Sequence, residues 1–326
     1  MRLVEVVIPT FNRHARLLRT LASLDRQTFR DFSVTVVDDC SSPPVAGAIP
    51  VRLMASLGIR VLTTAGNSGP GAARNLGVGA SSAPYIAFID DDVDADPLWL
   101  ETHLVAAERG PEVVTFGPLL APPGWSPTPW NYWEAETLRR EYERMSAGLY
   151  APTWRQFFTG NALVRRERLL RAGGFDERFT RAEDIELGLR MHNAGCRFVF
   201  NDRGIGWHHA RRTLGSWLRI PREYARFDVA MDRMYPETRL LEVLDRERAE
   251  RGRGMLAARG LFGSEVRWRA GRGAALMAAR LAFAAGRRAE AMRALSMVYD
   301  LEYGLARIRA ETGTQELLAN RPVTAA

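Results

Sequence analysis

The sequence predicts an α/β fold with a mainly parallel sheet, followed by a helical extension. Three observations predict it. Short apolar runs of strand type alternate with segments of helical period through the first 90 residues. Three of these runs stop at polar or acidic residues: Thr10 to Asn12, Asp38 with Asp39, and Asp90 to Asp92. After about residue 235 the chain turns to Ala, Arg and Leu in helical patterns with no further strand-like run.

Val4 to Thr10 reads as a first buried strand, ended by Pro9, with a turn at Phe11-Asn12-Arg13. Leu17, Leu18, Leu21 and Leu24 recur at helical spacing. Phe32 to Val37 is a second strand, Ser41-Ser42-Pro43-Pro44 a loop, and Ile59 to Leu62 a third strand. Gly66 to Gly71 is a Gly-rich turn opening a helix at Ala72 to Leu76, and Tyr85 to Ile89 is the fourth strand. In such sheets ligands bind at the carboxyl ends of the strands, so acids after successive strands on one edge point to a binding cleft. Downstream, Trp130 to Met145 reads as a helix. Glu183 opens another that Gly195 stops, and Phe198 to Phe200 is a short strand. Asp94 and Asp96 read as turn or helix-start residues; His14, His103 and His192 read as ordinary surface or helix residues. The aromatics between 122 and 157 suit either a lid or acceptor platform, or plain packing on a helical segment.

Composition narrows the function. The net charge is +7, all basic residues are arginine, and residues 245–293 carry 12 Arg against 5 acids, which accounts for the excess. Little aromatic interleaving and no binding motif argue against a nucleic-acid partner. The basic stretch is read as a solvated helix face, with contact to an anionic membrane surface as the sharper alternative. Two cysteines, Cys40 and Cys196, make no disulfide framework. No signal-peptide apolar region is visible, so a cytoplasmic location, or one peripheral to the inner face of a membrane, is expected. A dinucleotide-binding dehydrogenase fails because no glycine follows the first strand, and a P-loop is absent.

The triplet Asp90-Asp91-Asp92 carries the chemistry. Three adjacent carboxylates are tolerable if a cation shares them, and oxygen ligands suit Mg²⁺ or Mn²⁺ gripping a substrate's phosphates. A solvated acidic turn is the plain alternative.

The segments Val7-Ile8-Pro9-Thr10-Phe11-Asn12-Arg13, Val36-Val37-Asp38-Asp39, Gly69-Pro70-Gly71-Ala72-Ala73-Arg74-Asn75 and Ile89-Asp90-Asp91-Asp92 resemble the successive motifs of family 2 glycosyltransferases of GT-A fold. So do Phe158-Thr159-Gly160-Asn161, Gly173-Gly174-Phe175-Asp176-Glu177 and Glu183-Asp184-Ile185-Glu186 further on, and the resemblance covers roughly residues 3–220. It implies a GT-A catalytic domain over 1–235, with a donor-nucleotide half to about 120 and an acceptor half from 121. Residues 236–326 would be a helical extension with a disordered tail after about 313, serving acceptor docking, homo-oligomer contact or membrane contact.

The resemblance also implies roles. Asp90 is the ribose-side acid and Asp92 the metal ligand, with Mn²⁺ or Mg²⁺ bridging a donor diphosphate. Asp91 is counted with the nucleotide-sugar-binding residues, facing away being the alternative. Asp39 would accept from the base ring N–H; Pro9, Thr10 and Asn12 would line the base or ribose. Arg74 would lie near the nucleotide, holding the base-binding acid or compensating charge, and Gly160 and Asn161 would border the donor. Asp184 would be the general base of an inverting transfer, with Glu183 positioning it or the acceptor and Glu186 structural. His208 or His209 would complete the metal site, His208 preferred. The expected partners are a nucleotide diphospho-sugar, UDP favoured, and a hydroxyl acceptor on a glycan, lipid or small molecule. The rivals are a retaining GT-A transferase or nucleotidyltransferase, and an inactive sugar-nucleotide-binding scaffold.

Overall fold

The computed structural model describes residues 2–179, 181–250 and 265–313. It divides into two compact units: one of residues 2–125 and 137–210, the other of residues 126–136 and 211–313. The expected boundary at 235 lies beyond the observed one, because the helix that follows residue 210 buries its apolar face among the later helices. The expectation for the tail after 313 lies outside the described residues.

The first unit runs β1 (Val4–Thr10), α1 (His14–Leu24), β2 (Phe32–Asp38), α2 (Val51–Ser56), β3 (Ile59–Thr63), α3 (Pro70–Ala80), β4 (Tyr85–Ile89), β5 (Val93–Ala95), α4 (Trp99–Ala107), β6 (Val113–Phe116) and β7 (Leu119–Leu120). After α5 (Pro129–Ser146), whose first turns count with the second unit, come β8 (Asn161–Arg165), α6 (Arg166–Arg171), α7 (Glu183–Asn193), β9 (Arg197–Phe200) and β10 (Gly206–His208). The main sheet has seven strands in the order β3-β2-β1-β4-β8-β6-β9. All neighbours are parallel except β8, which runs antiparallel to both β4 and β6. A second sheet, β5-β10-β7, carries the histidine segment beside the acidic one.

The mostly apolar runs of β1, β2 and β4 are buried along nearly their whole length, as parallel strands with helices on their faces must be. Leu17, Leu21 and Leu24 of α1 pack with Val6, Ile8, Val34 and Val36 in one core. The first strand passes through Pro9 to Thr10 instead of stopping there. Its pairing with β4 ends at Val7, so the missing N–H of Pro9 costs no ladder bond on that side. On α3, Gly77 lies against β1, where a Cβ would stand 2.5 Å from Val7 Cγ1. The Val113–Phe116 and Asn161–Arg165 strands and the short α2 carry too little periodic signal to be read from sequence.

Because β1 is followed by strands on one side and then by β4 on the other, the chain reverses its strand order between β1 and β4. The carboxyl ends flanking that switch point are Thr10 and Ile89, and Asp90 follows directly.

The second unit is helical: α8 (Leu214–Met234), α9 (Leu240–Glu250), α10 (Glu265–Ala284) and α11 (Arg288–Thr312). Trp133, Trp217, Ile220, Ala279, Leu295 and Val298 form its core. Trp133 meets Trp217 edge to face at 5.4 Å and donates through Nε1 to Ser296 Oγ. The aromatics at 130–133 thus serve as packing, the plainer of their two expected roles.

Candidate active site

At the end of β4 the three carboxylates take three environments. Asp90 is partly exposed and accepts from Arg74 Nη2 at 2.8 Å. Asp91 turns inward, 3% exposed, accepting from Thr10 Oγ1 at 2.7 Å and from Arg13 Nη1 at 3.1 Å. Burial pushes its carboxyl up to about 6 against the pull of the Arg13 charge. Asp92 meets Arg16 Nη1 at 3.1 Å, Arg13 Nη1 at 3.5 Å and His208 Nε2 at 3.4 Å. Burial alone would raise its pKa, but His208 and the two guanidiniums hold it well below the usual carboxylate range.

Arg13, Arg16 and Arg19 recur every three residues where α1 begins. They pair in step with Asp91, Asp92 and Asp94. Sequence reasoning quoted Arg13 but gave it no role and missed Arg16 and Arg19. Their spacing on one helical face was the available signal. Asp94, expected in a turn, lies on β5, where pairing with β10 brings it to His209 Nε2 at 2.8 Å.

Arg74 is buried on α3. Its Nη1 donates to Glu183 Oε1 at 2.8 Å while Nη2 holds Asp90. Of its two expected roles it therefore takes the second, compensating negative charge instead of holding Asp39, and it joins Asp90 to the start of α7. Fixing both ends of one guanidinium needs a planar fork, which arginine supplies. Asp39, also buried, accepts from Thr64 Oγ1 and Ser68 N through Oδ1 and from Gly69 N through Oδ2. It moulds the Gly-rich turn, in which Gly69 takes φ +88° and Pro70 starts the helix.

α7 starts without a side-chain cap but with Glu183, Asp184 and Glu186 in its first turn, where the helix dipole favours negative charge. Glu186 is fully buried and bidentate with Arg190, a structural pair as expected. Asp184 accepts from Ile185 N at 2.9 Å and, more weakly, from Thr159 N at 3.4 Å. Burial, and next the Glu183 charge, push its carboxyl up to about 7 against the Arg74 charge.

Several expected site residues fall elsewhere. Asn161 is wholly buried: its Oδ1 accepts from Trp99 Nε1 and contacts His103 Nε2, and its Nδ2 donates to Pro118 O and Gly204 O. With all four bonding directions spent, it fastens the sheet and cannot border a donor. His103, expected as an ordinary surface or helix residue, lies on α4 but faces that core, and burial pushes its pKa down to about 4. The hydroxyl of Thr10 is spent on Asp91, and Asn12, at φ 54°, accepts from Ser42 N through its Oδ1. Asp91 itself is compensated by protein groups and turned from the cleft. His209, the residue after β10, meets Asp94 through Nε2 at 2.8 Å, whereas His208 meets Asp92. Pro9 stays near the end of β1 beside Val37, and Gly160 lies so close to Asp90 that a Cβ would stand 2.9 Å from Oδ2.

Asp92 Oδ1 and His208 Nε2 form a mixed oxygen and nitrogen pair. Among the described residues no group of three His, Cys, Asp or Glu side chains could hold a metal ion. A two-ligand set fits a cation that takes its remaining ligands from substrate phosphates and water, as Mg²⁺ sites commonly do.

The chain matches the family model described as glycosyl transferase family 2 over residues 5–171, just over half its length. It is 32% identical over 216 residues to the pre-mycofactocin glycosyltransferase of Mycobacterium tuberculosis, covering 66% of this chain and 44% of that one. It is 34% identical over 240 residues to the validoxylamine A glucosyltransferase of Streptomyces hygroscopicus, covering 63% of this chain and 54% of the other. The chain thus spans about half the length of these curated relatives. Among solved structures, Staphylococcus aureus TarS 1-349 in complex with UDP-GlcNAc superposes with a TM-score of 0.56 at 17% identity, over 95% of this chain and 92% of that one.

Proposed function

The chain belongs to glycosyl transferase family 2, and from that premise we propose that it moves a sugar from a nucleotide diphospho-sugar to a hydroxyl acceptor, with inversion. The observation that carries this reading is the bridge Asp90–Arg74–Glu183, which makes the donor-side acid and the start of α7 one ion-paired unit. A transfer needs donor and base held in fixed register, and a shared buried guanidinium does that.

In this reading Asp90 binds the donor ribose. Asp39 keeps one lone pair of Oδ2 for the base N–H while its other bonds hold the turn. Asp92 and His208 would hold Mn²⁺ or Mg²⁺, which when bound neutralises charge on the leaving diphosphate. Asp184 removes the proton from the attacking hydroxyl. A carboxyl raised to about 7 is half ionised near neutral pH and basic enough to accept it. Glu183 keeps that pKa raised through its charge and orients α7 through Arg74. A single base on one face of the sugar suits one direct displacement, hence inversion.

UDP is favoured as the nucleotide, supported by the TarS fold neighbours described in complex with UDP and UDP-GlcNAc. A small-molecule or glycan acceptor is supported by the names of the relatives.

The test is a thermal-shift panel of UDP, dTDP and GDP, each with and without Mn²⁺, on the wild type and Asp92→Ala. A ligand of the native state raises its stability by mass action. A metal-dependent UDP shift lost in Asp92→Ala is expected. No shift with any nucleotide in folded protein would sink the reading, and donor binding without turnover across acceptors would favour the inactive scaffold. The anomeric configuration of a turned-over product, read by NMR, decides inversion.

A further inference from the structure

The helical unit presents a surface that transfer chemistry does not use. On α10, Ala274, Met277, Ala278, Leu281 and Ala284 are all exposed, Met277 by 54% and Leu281 by 64%, and so is Ala285 just past its end. At 100° per residue these positions share an arc of roughly 120°, an unbroken apolar stripe facing outward. Its last turn runs into the α10–α11 connection, where Gly286 turns the chain at φ +75°.

The rim of the stripe is basic and aromatic. Arg280 lies 5.5 Å from the Trp130 ring, and Arg288 lies over Phe283 and 5.4 Å from Tyr132. Tyr132 packs on Phe283 edge to face. Exposed Arg287 pairs with Glu290, the only acid between 266 and 299, while Arg280, Arg288 and Arg293 are exposed as well.

We propose that this apolar stripe with its Arg280–Arg288 rim is a docking surface for an anionic phospholipid bilayer. The chemistry matches in three ways. Leu and Met side chains enter the acyl boundary, Trp and Tyr suit its interface, and arginines meet lipid phosphates. Charge decides against a second copy of this chain, because two such faces would press their arginines together. Among the described residues no helix is long and apolar enough to cross a membrane, so the contact lies on the surface of the bilayer.

The test is co-sedimentation of the full chain with vesicles of phosphatidylglycerol and phosphatidylcholine, against vesicles of phosphatidylcholine alone. Wild type is expected to bind the anionic vesicles and to be released by ~0.5 M salt, which shortens the electrostatic reach. Met277→Ser with Leu281→Ser should weaken binding about tenfold, the loss of apolar burial. Arg280→Gln with Arg288→Gln should weaken it comparably. Leu149→Ser, which changes an equally exposed residue elsewhere, should leave it unchanged. Circular dichroism and melting of each variant separate misfolding from lost docking. No binding by folded wild type, equal binding to neutral vesicles, or concentration-dependent self-association lost in Leu281→Ser would each overturn the proposal. None of these readouts depends on donor turnover, so this test and that of the transferase reading fail separately.

Discussion

Arg74 and Glu183 are hydrogen-bonded at 2.8 Å although 109 residues separate them in the chain. The same guanidinium reaches Asp90, so one buried cation ties the end of β4 to the start of α7. An unpaired charge at such a site costs about 3–5 kcal/mol, which explains why both its terminal nitrogens are committed to acids.

Replacing Arg74 tests the bridge. Arg74→Lys keeps the charge but cannot hold two acids in a planar fork. We expect kcat to fall about 10- to 100-fold while KM for the donor changes little, because alignment more than binding is lost. Steady-state kinetics beside urea unfolding would check this. A lysine variant with wild-type kcat would show that the bridge serves only stability.

The pH profile should report Asp184. As a base it must be ionised, so kcat/KM should rise with pH and level off above about 7. Glu183 raises this pKa, so Glu183→Gln should move the limb to lower pH even as it slows the reaction. A limb that stays put would mean another group is titrating.

Stability should show the opposite sign. The folded pKa of Asp184 lies above its unfolded value, so the native state holds its proton longer. Between about pH 4 and about pH 7 wild type should therefore lose stability relative to Asp184→Asn as pH rises. Melting temperatures of the two proteins across that window should diverge by a few degrees at pH 8. Parallel curves would place Asp184 in a more solvated setting.

The two adjacent histidines should behave differently. His208→Ala should abolish the Mn²⁺-dependent part of the UDP thermal shift, since His208 faces Asp92. His209→Ala should keep it, since that ring is spent on Asp94. Equal loss in both would refute the division of labour between them.

Asn161→Ala should act on the fold. It strips partners from Trp99, His103, Pro118 and Gly204 in the buried core, and a loss of about 3–5 kcal/mol is expected. Urea unfolding measures this directly. A variant of normal stability with weak donor binding would restore Asn161 to the site.

Much is legible within a single stretch of chain. The covered, mostly apolar runs of β1, β2 and β4 declare a parallel layer, because strands buried on both faces read as near-continuous apolar runs. Acids placed after those strands declare the edge where ligands bind. The acids opening α7 are legible in the same way, since local charge and the helix dipole act within one turn.

Tertiary structure alone decided which acid meets which cation. Arg74 reaches Glu183 and Asp90 rather than Asp39, Asp91 turns inward to Thr10 and Arg13, and His208 and His209 part company. Asn161 and His103, polar by composition, close a network in the core. Each of these outcomes depends on partners far away in the chain. A buried charge or amide takes whatever complement the packing brings within about 3 Å, and that distance is set by how the strands and helices stack.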